Sequence, residues 1–416
     1  MTRLAFACLA AIGLWGGAAT AGDLAAACTG IDRGRDATMI GPTGVAFRVL
    51  PDLQTGHGLS EPAIAAIAGL ADALRGAGTE LVVLPLPTKA LANPGALPTG
   101  AAGLSYDPEL AAAIYDHAVR RLRQSGVRAA NGREALRLLA DAGTPPHLAT
   151  DPRPSPTGAL ALAVAAAAEL RDVVPDQPMR TPAEGATLPL ESAHHARLQA
   201  RCAGALPPLT VRSRSAPTAT TGAPILLAGM DLVATEALGL GPALSALTGR
   251  PVRAHGVAGD DPVAALLDLL SSEATARDRP AALVWALPIW ADPLARGPDP
   301  LLAARAAAGA ATACDRLVPL GTGSDGALQG DLSGVPTGDG TVLRLELGTG
   351  LRAVRLTFAT DAGATRTKTV AQAPDRAATG TFHVPLTGLW SDGAARVTIA
   401  ADGPTGLAPR AAACRI

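Results

Sequence analysis

The sequence predicts a layered α/β fold with a mainly parallel sheet, followed by a C-terminal β-sandwich. From about residue 31 to 310, short apolar runs alternate with segments of helical periodicity, as strands covered by helices require. From about 312 the period drops to two, with short runs separated by Gly, Asp and Pro turns. A chain of 416 residues, 48% hydrophobic and 17% charged, is long enough for two or three buried cores and is not disordered in composition.

Arg3 precedes an apolar run from Leu4 to Leu14, then small residues and Ala19-Thr20-Ala21. This is the layout of a secretory signal over 1–21, cleaved before Gly22. The run is shorter than the ~20 residues that span a bilayer, and no later stretch is longer, so no membrane span is expected after signal removal. Leu24 to Cys28 resembles a lipoprotein site, but Asp23 stands where the apolar core should continue.

"ELVVLPLPTKAL" (80–91) reads as a strand ending at Pro85. "DPELAAAIYDHAVRRLRQSG" (107–126) reads as an amphipathic helix with Leu110, Ile114, Ala118 and Leu122 on its apolar face, stopped at Gly126. Asn131 and Glu134 suggest a capping box for the next helix. "HLATDPRPSPTGALALAVAAAAEL" (147–170) is a polar, proline-punctuated loop running into an alanine-rich helix. The segment 204–223 is rich in turn formers and reads as a long surface loop. A strand, a tight turn at Gly229 and a helix follow over 223–247, and "PVRAHGVAGDDPVAALLDLLSSEA" and "PAALVWALPIWADP" repeat that rhythm. Four strands of the sandwich are expected at 341–348, 351–360, 381–390 and 395–402.

Removing the signal removes Cys8 and leaves Cys28, Cys202, Cys314 and Cys414. An even number in an exported chain reads as two disulfides with three possible connectivities. Cys28 and Cys202 lie in the α/β part, whereas Cys314 and Cys414 bracket the β-rich part. Pairing within each part is therefore expected: Cys28–Cys202 and Cys314–Cys414.

The formal net charge of −1 comes with no basic stripe, which argues against nucleic acid as a partner. "GTGSDGALQGDLSG" (321–334) has the glycines of a phosphate loop but neither its Lys nor a following helix. His194 and His195 lie on a helix-like polar stretch with Glu191 and Arg197, an incomplete metal-ligand set. No metal and no cofactor are expected.

Chemistry is expected at the strand, turn and helix of 225–247, where α/β hydrolases place a nucleophile and a helix N-terminus stabilises an oxyanion. The turn reads Ala228-Gly229-Met230-Asp231-Leu232, with Asp231 where a Ser would serve. His147 and His255 are candidate substitute bases, His255 standing just after a strand. Trp390 is either a sugar-stacking residue or part of the sandwich core.

These landmarks resemble a family. "IGPTGVAFRV" (40–49) is similar to its early G-K-D-G-W-L-F segment, "VVLPLPTKA" (82–90) to its P-x-P-x-K stretch, and "TDPRPSPTGA" (150–159) to T-D-x-H-W-x-P-x-G-A. "ILLAGMDL" (225–232) is similar to the nucleophile turn L-L-x-G-T-S-[FY], and "AALVWALPIW" (281–290) to a late strand in which a Trp is common. In this order they resemble the AlgX/AlgJ family of periplasmic SGNH-hydrolase-like proteins of alginate O-acetylation. The resemblance implies a three-layer SGNH-hydrolase-like domain over 22–311 and a β-sandwich, carbohydrate-binding in some members, over 312–416. It implies periplasmic localisation, an alginate-like polysaccharide as ligand and other envelope proteins as partners. It also implies roles for Asp151, Arg153 and Asp231 at the positions of the family's Asp, His and Ser, with Lys89 and Gly229 as substrate-binding candidates; His255 and Trp390 join these from their own positions in the sequence.

Two of the three catalytic positions are substituted. Arginine keeps its proton far above neutral pH and is no general base, and a carboxylate at 231 would store an acyl group as an anhydride. The substitutions suggest an ion pair between Arg153 and Asp231, with Asp151 as a second carboxylate. The resemblance thus leaves a polymer- or partner-binding protein that has lost the Ser–His pair, an active O-acetyltransferase or acetylesterase with a non-standard residue set, or a non-catalytic envelope scaffold.

Overall fold

The computed structural model describes residues 27–416 except 175–179, 181, 203–205, 217–219, 258–260, 273–274, 276–277, 279, 310–313, 315, 324–325, 338–339 and 373–377. The expected signal over 1–21 and Asp23 lie outside the described residues. Among the described residues, no helix is long and apolar enough to cross a membrane.

The chain begins with a hairpin of β1 (Thr38–Ile40) and β2 (Ala46–Arg48). Its turn needs glycine at 41, where a Cβ would lie 1.9 Å from the Ala96 carbonyl oxygen. Helix α1 (Glu61–Gly76) then leads to β3 (Glu80–Leu86), α2 (Pro108–Gln124), β4 (Arg128–Ala129), α3 (Gly132–Asp141) and α4 (Pro156–Ala168). Two exposed strands, β5 (Ala183–Pro189) and β6 (Thr210–Ser215), pair antiparallel on either side of α5 (Ala193–Arg201). β7 (Ile225–Gly229), α6 (Leu240–Thr248), β8 (Val252–Gly256), α7 (Ala264–Leu270), β9 (Ala282–Pro288) and α8 (Asp299–Ala308) complete the α/β part.

Strands β4-β3-β9-β7-β8 form one parallel sheet. Alternate residues face opposite layers. Leu81, Val83, Leu226, Leu283 and Trp285 join a core with Ile67, Tyr115 and Leu266 on one face. Val82, Leu84, Ile225, Leu227 and Val284 join Leu136, Leu162 and Leu244 on the other. The result is a helix–sheet–helix sandwich, with the C-terminal ends of β3, β7 and β9 opening onto one edge.

Several sequence expectations are corrected. Pro85 lies inside β3, because β4 pairs only with Val82 and Val83 and demands no N–H at 85. The buried stripe of α2 is Ala111, Tyr115, Ala118, Val119 and Leu122, while Leu110 is 51% exposed. Tyr115 sets that rotation by donating to the Pro85 carbonyl at 2.6 Å. The loop expected at 204–223 contains β6, missed because Val211 is its one buried residue. Asn131 caps α3 by accepting from Glu134 N at 3.0 Å, the N-cap half of the expected capping box.

The C-terminal part is a sandwich of two antiparallel sheets. One orders β10 (Arg316–Val318), β18 (Arg410–Arg415), β13 (Thr341–Glu346) and β16 (Thr381–Pro385). The other orders β11 (Leu320–Thr322), β12 (Leu328–Asp331), β17 (Arg396–Ala401), β14 (Ala353–Ala359) and β15 (Thr365–Ala371). Leu343, Leu345, Phe382 and Val384 from the first meet Val354, Leu356, Phe358 and Val397 from the second. The glycine-rich run 321–334 contains the end of β11 and all of β12. Both disulfides are present as paired from the sequence, Cys28–Cys202 and Cys314–Cys414.

Candidate functional site

The loop before α4 is closed by its own backbone. His147 bridges Pro154, Leu148 N donates to Arg153 O at 3.2 Å, and Ser155 N donates to Pro146 O at 3.0 Å. Ser155 caps α4 by accepting from Gly158 N. Gly158 allows this closure, since a Cβ there would lie 2.1 Å from Pro146 O.

Within the loop, Asp151 is 1% exposed and forms a fork with Arg153. Nε and Nη2 of Arg153 donate to the two carboxylate oxygens at 2.8 Å each, and Arg153 N donates to Oδ1 at 2.8 Å. Burial pushes the Asp151 carboxyl up, but Arg153 and the Ser192 hydroxyl outweigh it and hold the group below the usual carboxylate range. Arg153 Nη2 also donates to Glu191 O, and Nη1 donates to Thr235 Oγ1 at 2.8 Å. Thr235 in turn donates to Asp231 O at 2.6 Å. The guanidinium therefore ties the loop to the turn after β7. The expected bridge between two carboxylates is corrected: Asp151 is the ionic partner, and the turn is reached through Thr235 and the main-chain carbonyl of Asp231.

Asp231 opens a single helical turn, Asp231–Ala234, and its side chain is exposed. Gly229 ends β7, its carbonyl accepting from Val257 N at 3.1 Å, and a Cβ there would lie 2.6 Å from Val233 Cγ2. That glycine serves close packing under the turn.

Lys89 is 1% exposed, and its ammonium donates to Ala46 O (2.9 Å), Leu148 O (2.8 Å) and Ala149 O (3.1 Å). All three N–H bonds go to main-chain carbonyls, so Lys89 staples β2 to the site loop and has no donor left for substrate. Burial draws its pKa down to about 8 against the attraction of Asp52 and Asp151. Beneath lie His147 and His194, which burial and the Lys89 charge hold neutral, with pKa values of about 3 and 4. His147 is thus interior, poorly placed to act as a base on a bound polymer.

His194 and His195, expected on a polar helical surface, are 8% and 5% exposed. His195 Nε2 donates to Pro207 O at 3.0 Å, so in the neutral ring Nδ1 accepts from Thr150, 2.7 Å away and next to Asp151. His255 lies within β8 and meets Asp268 of α7 at 3.1 Å. Its neighbour Ala254 faces α6, so the imidazole is on the face of the sheet opposite α4 and α6. In the sandwich, the Arg366 guanidinium stacks 4.9 Å from the Trp390 ring centre, covering one ring face. The ring borders a cleft of about 590 Å³ with Thr337, Thr360, Asp361, Ser391 and Asp392. Among the described residues no His/Cys/Asp/Glu cluster could hold a metal ion.

Sequence reasoning missed Thr235 and Ser192. Both carry weak signals: a Thr four residues after a turn Asp, able to bond back to i−4, and a Ser preceding a helix, where it caps by accepting from His195 N.

Residues 51–289 match the family model for the SGNH hydrolase-like domain, acetyltransferase AlgX. The chain belongs to this AlgX family. Its fold is similar to that in a structure of Pseudomonas aeruginosa AlgX, with a TM-score of 0.72 and 19% identity over 92% of this chain and 95% of that one. It is also similar to the O-acetyltransferase domain of Pseudomonas putida AlgJ, with a TM-score of 0.50 and 21% identity over 61% of this chain and 91% of that one. No curated protein sequence matches the chain. The likeness to AlgX runs through the sandwich as well as the α/β part, given its coverage.

Proposed function

We propose that this AlgX-family chain is a periplasmic protein of alginate-type exopolysaccharide O-acetylation or export, which binds polymer or partner proteins without forming an acyl-serine. One observation carries the reading. Arg153, at the position of the family's general base, is permanently cationic and holds buried Asp151 with both arms of its fork. An active triad needs an imidazole there to take a proton from a serine hydroxyl. Here the orienting acid is neutralised by a cation that cannot accept a proton, and position 231 offers no hydroxyl.

Export across the inner membrane, with cleavage of 1–21, is supported by the Arg3–Ala21 layout and by the disulfides Cys28–Cys202 and Cys314–Cys414. The α/β unit is assigned to 22–311 and the sandwich to 312–416, whose Trp390 cleft is the surface proposed for sugar. The Asp151, Arg153 and Asp231 set is proposed as a converted catalytic site, shaping the polymer cleft instead of moving protons.

Titration calorimetry of the purified mature chain with acetylated and unacetylated polyuronate tests this reading. Saturable binding of either polymer is expected; absence of heat with both, up to millimolar sugar, would remove polymer binding from the account.

A further inference from the structure

Arg48, at the end of β2, is fixed on two sides. Nε and Nη2 donate to Asp52 at 3.1 and 2.9 Å, and Arg48 N adds a bond of 2.9 Å to the same carboxylate. Asp52 is 1% exposed; burial alone would raise its pKa, but Arg48 more than reverses that. The guanidinium carbon also lies 5.4 Å from the ring centre of Trp290. A side chain so held has lost most of the rotamer entropy that a ligand contact would otherwise cost. Its Nη1, with two N–H groups, has no protein partner among the described residues, and the Arg48 side chain is 21% exposed.

The position adjoins the candidate site. Ala46 N donates to Ala149 O at 2.8 Å, and Lys89 bonds Ala46 O together with Leu148 O and Ala149 O. Trp290 follows β9, which lies between β3 and β7 in the sheet, and Ile289 N donates to Leu86 O at 2.9 Å.

We propose that Arg48, backed by Trp290, is a carboxylate-binding subsite beside the clamped loop, taking the uronate group of a sugar residue through Nη1. It rests on the polymer-binding reading above and adds to it a residue and a charge requirement. A preformed guanidinium with unspent N–H on Nη1 gives a charge-assisted bond to a carboxylate oxygen that an uncharged hydroxymethyl group cannot match.

The test compares a polyuronate with the same polymer after reduction of its carboxyl groups to alcohols. The wild-type chain should prefer the polyuronate by at least about tenfold, as one charge-assisted contact implies. Arg48→Lys keeps the ion pair with Asp52 but not the outward N–H pair, and should bring that ratio close to one. The double variant Arg48→Gln/Asp52→Asn, which leaves no buried charge unpaired, should do the same, with circular dichroism confirming the fold of each. Wild-type-like preference in both folded variants would overturn the proposal, as would equal wild-type binding of the two polymers, which leaves polymer binding itself intact. Binding of neither polymer by the wild-type chain would instead bring down the reading beneath it, and the subsite with it.

Discussion

Arg153 shows how a fork between full charges closes a loop and ties it to a neighbouring turn. The loop presents Asp151 inward and Arg153 toward the turn, and their contact is a fork between full charges, 1% and 13% exposed respectively. Removing one partner strands the other in the interior. Asp151→Ala or Arg153→Met should each cost about 3–5 kcal/mol in urea unfolding, and Asp151→Asn/Arg153→Gln clearly less than their sum. Small, additive losses would show that the pair is not a clamp. The buried histidines make a second residue-scale prediction. His147 and His194 are held below the ordinary imidazole value while the unfolded chain titrates near 6.5, so the unfolded state binds more protons as the pH falls below that value. Stability should drop by about 1 kcal/mol per pH unit for each between pH 6 and 4. His147→Asn should flatten this slope in pH-dependent denaturation, and an unchanged slope would count against it. That the loop at 151–153 and the turn at 231 lie near each other was expected from the order of the motifs, and the Arg153–Thr235–Asp231 chain of bonds joins them. The burial of Lys89, His194 and His195 was not legible in the sequence, since a polar letter carries no record of the carbonyls or hydroxyls that satisfy it.

Among the elements, α2, α3 and four sandwich strands were located, the strand expected at 381–390 ending earlier, at Pro385, and the errors have local causes. On α2, Ala118 and Leu122 are buried as expected, but Leu110 and Ile114 were misassigned because they outrank Ala111 in hydropathy, whereas Tyr115 takes the interior by bonding Pro85 O. Strands β15 and β6 were missed because each shows water on most of its length. The placement of the turn after β7 depends on a contact between elements that no local pattern announces. A Cβ at Gly256 would sit 2.0 Å from Ala234 N and 2.7 Å from Val233 C, both main-chain atoms. Gly256→Ala should therefore push β8 off the turn at a cost of about 1–3 kcal/mol. The amide signals of 231–235 should shift in NMR spectra; unchanged signals would mean that the turn does not depend on this approach.

For the whole molecule, the two-part layout was visible in the change of period near 312, and the joint between the parts was not. Helix α8 meets the sandwich through Asp299, which bonds Lys368 Nζ at 3.0 Å and the Thr387 hydroxyl. Ser271 of the α/β part lies 3.5 Å from His383 Nδ1. Cys314–Cys414 closes 100 residues of chain around the sandwich, so Cys314→Ser/Cys414→Ser should lower stability by about 4–5 kcal/mol in the chain-entropy picture. The loss should appear in calorimetry as an earlier transition of the sandwich. A melting profile unchanged by the substitution would contradict that role.

The most direct test of the central claim, that a salt bridge occupies the place of proton transfer, is steady-state hydrolysis of nitrophenyl acetate by the mature chain, beside its Asp231→Ala variant. The account predicts that both rates equal the uncatalysed background. Turnover by the wild-type chain that Asp231→Ala abolishes would contradict it.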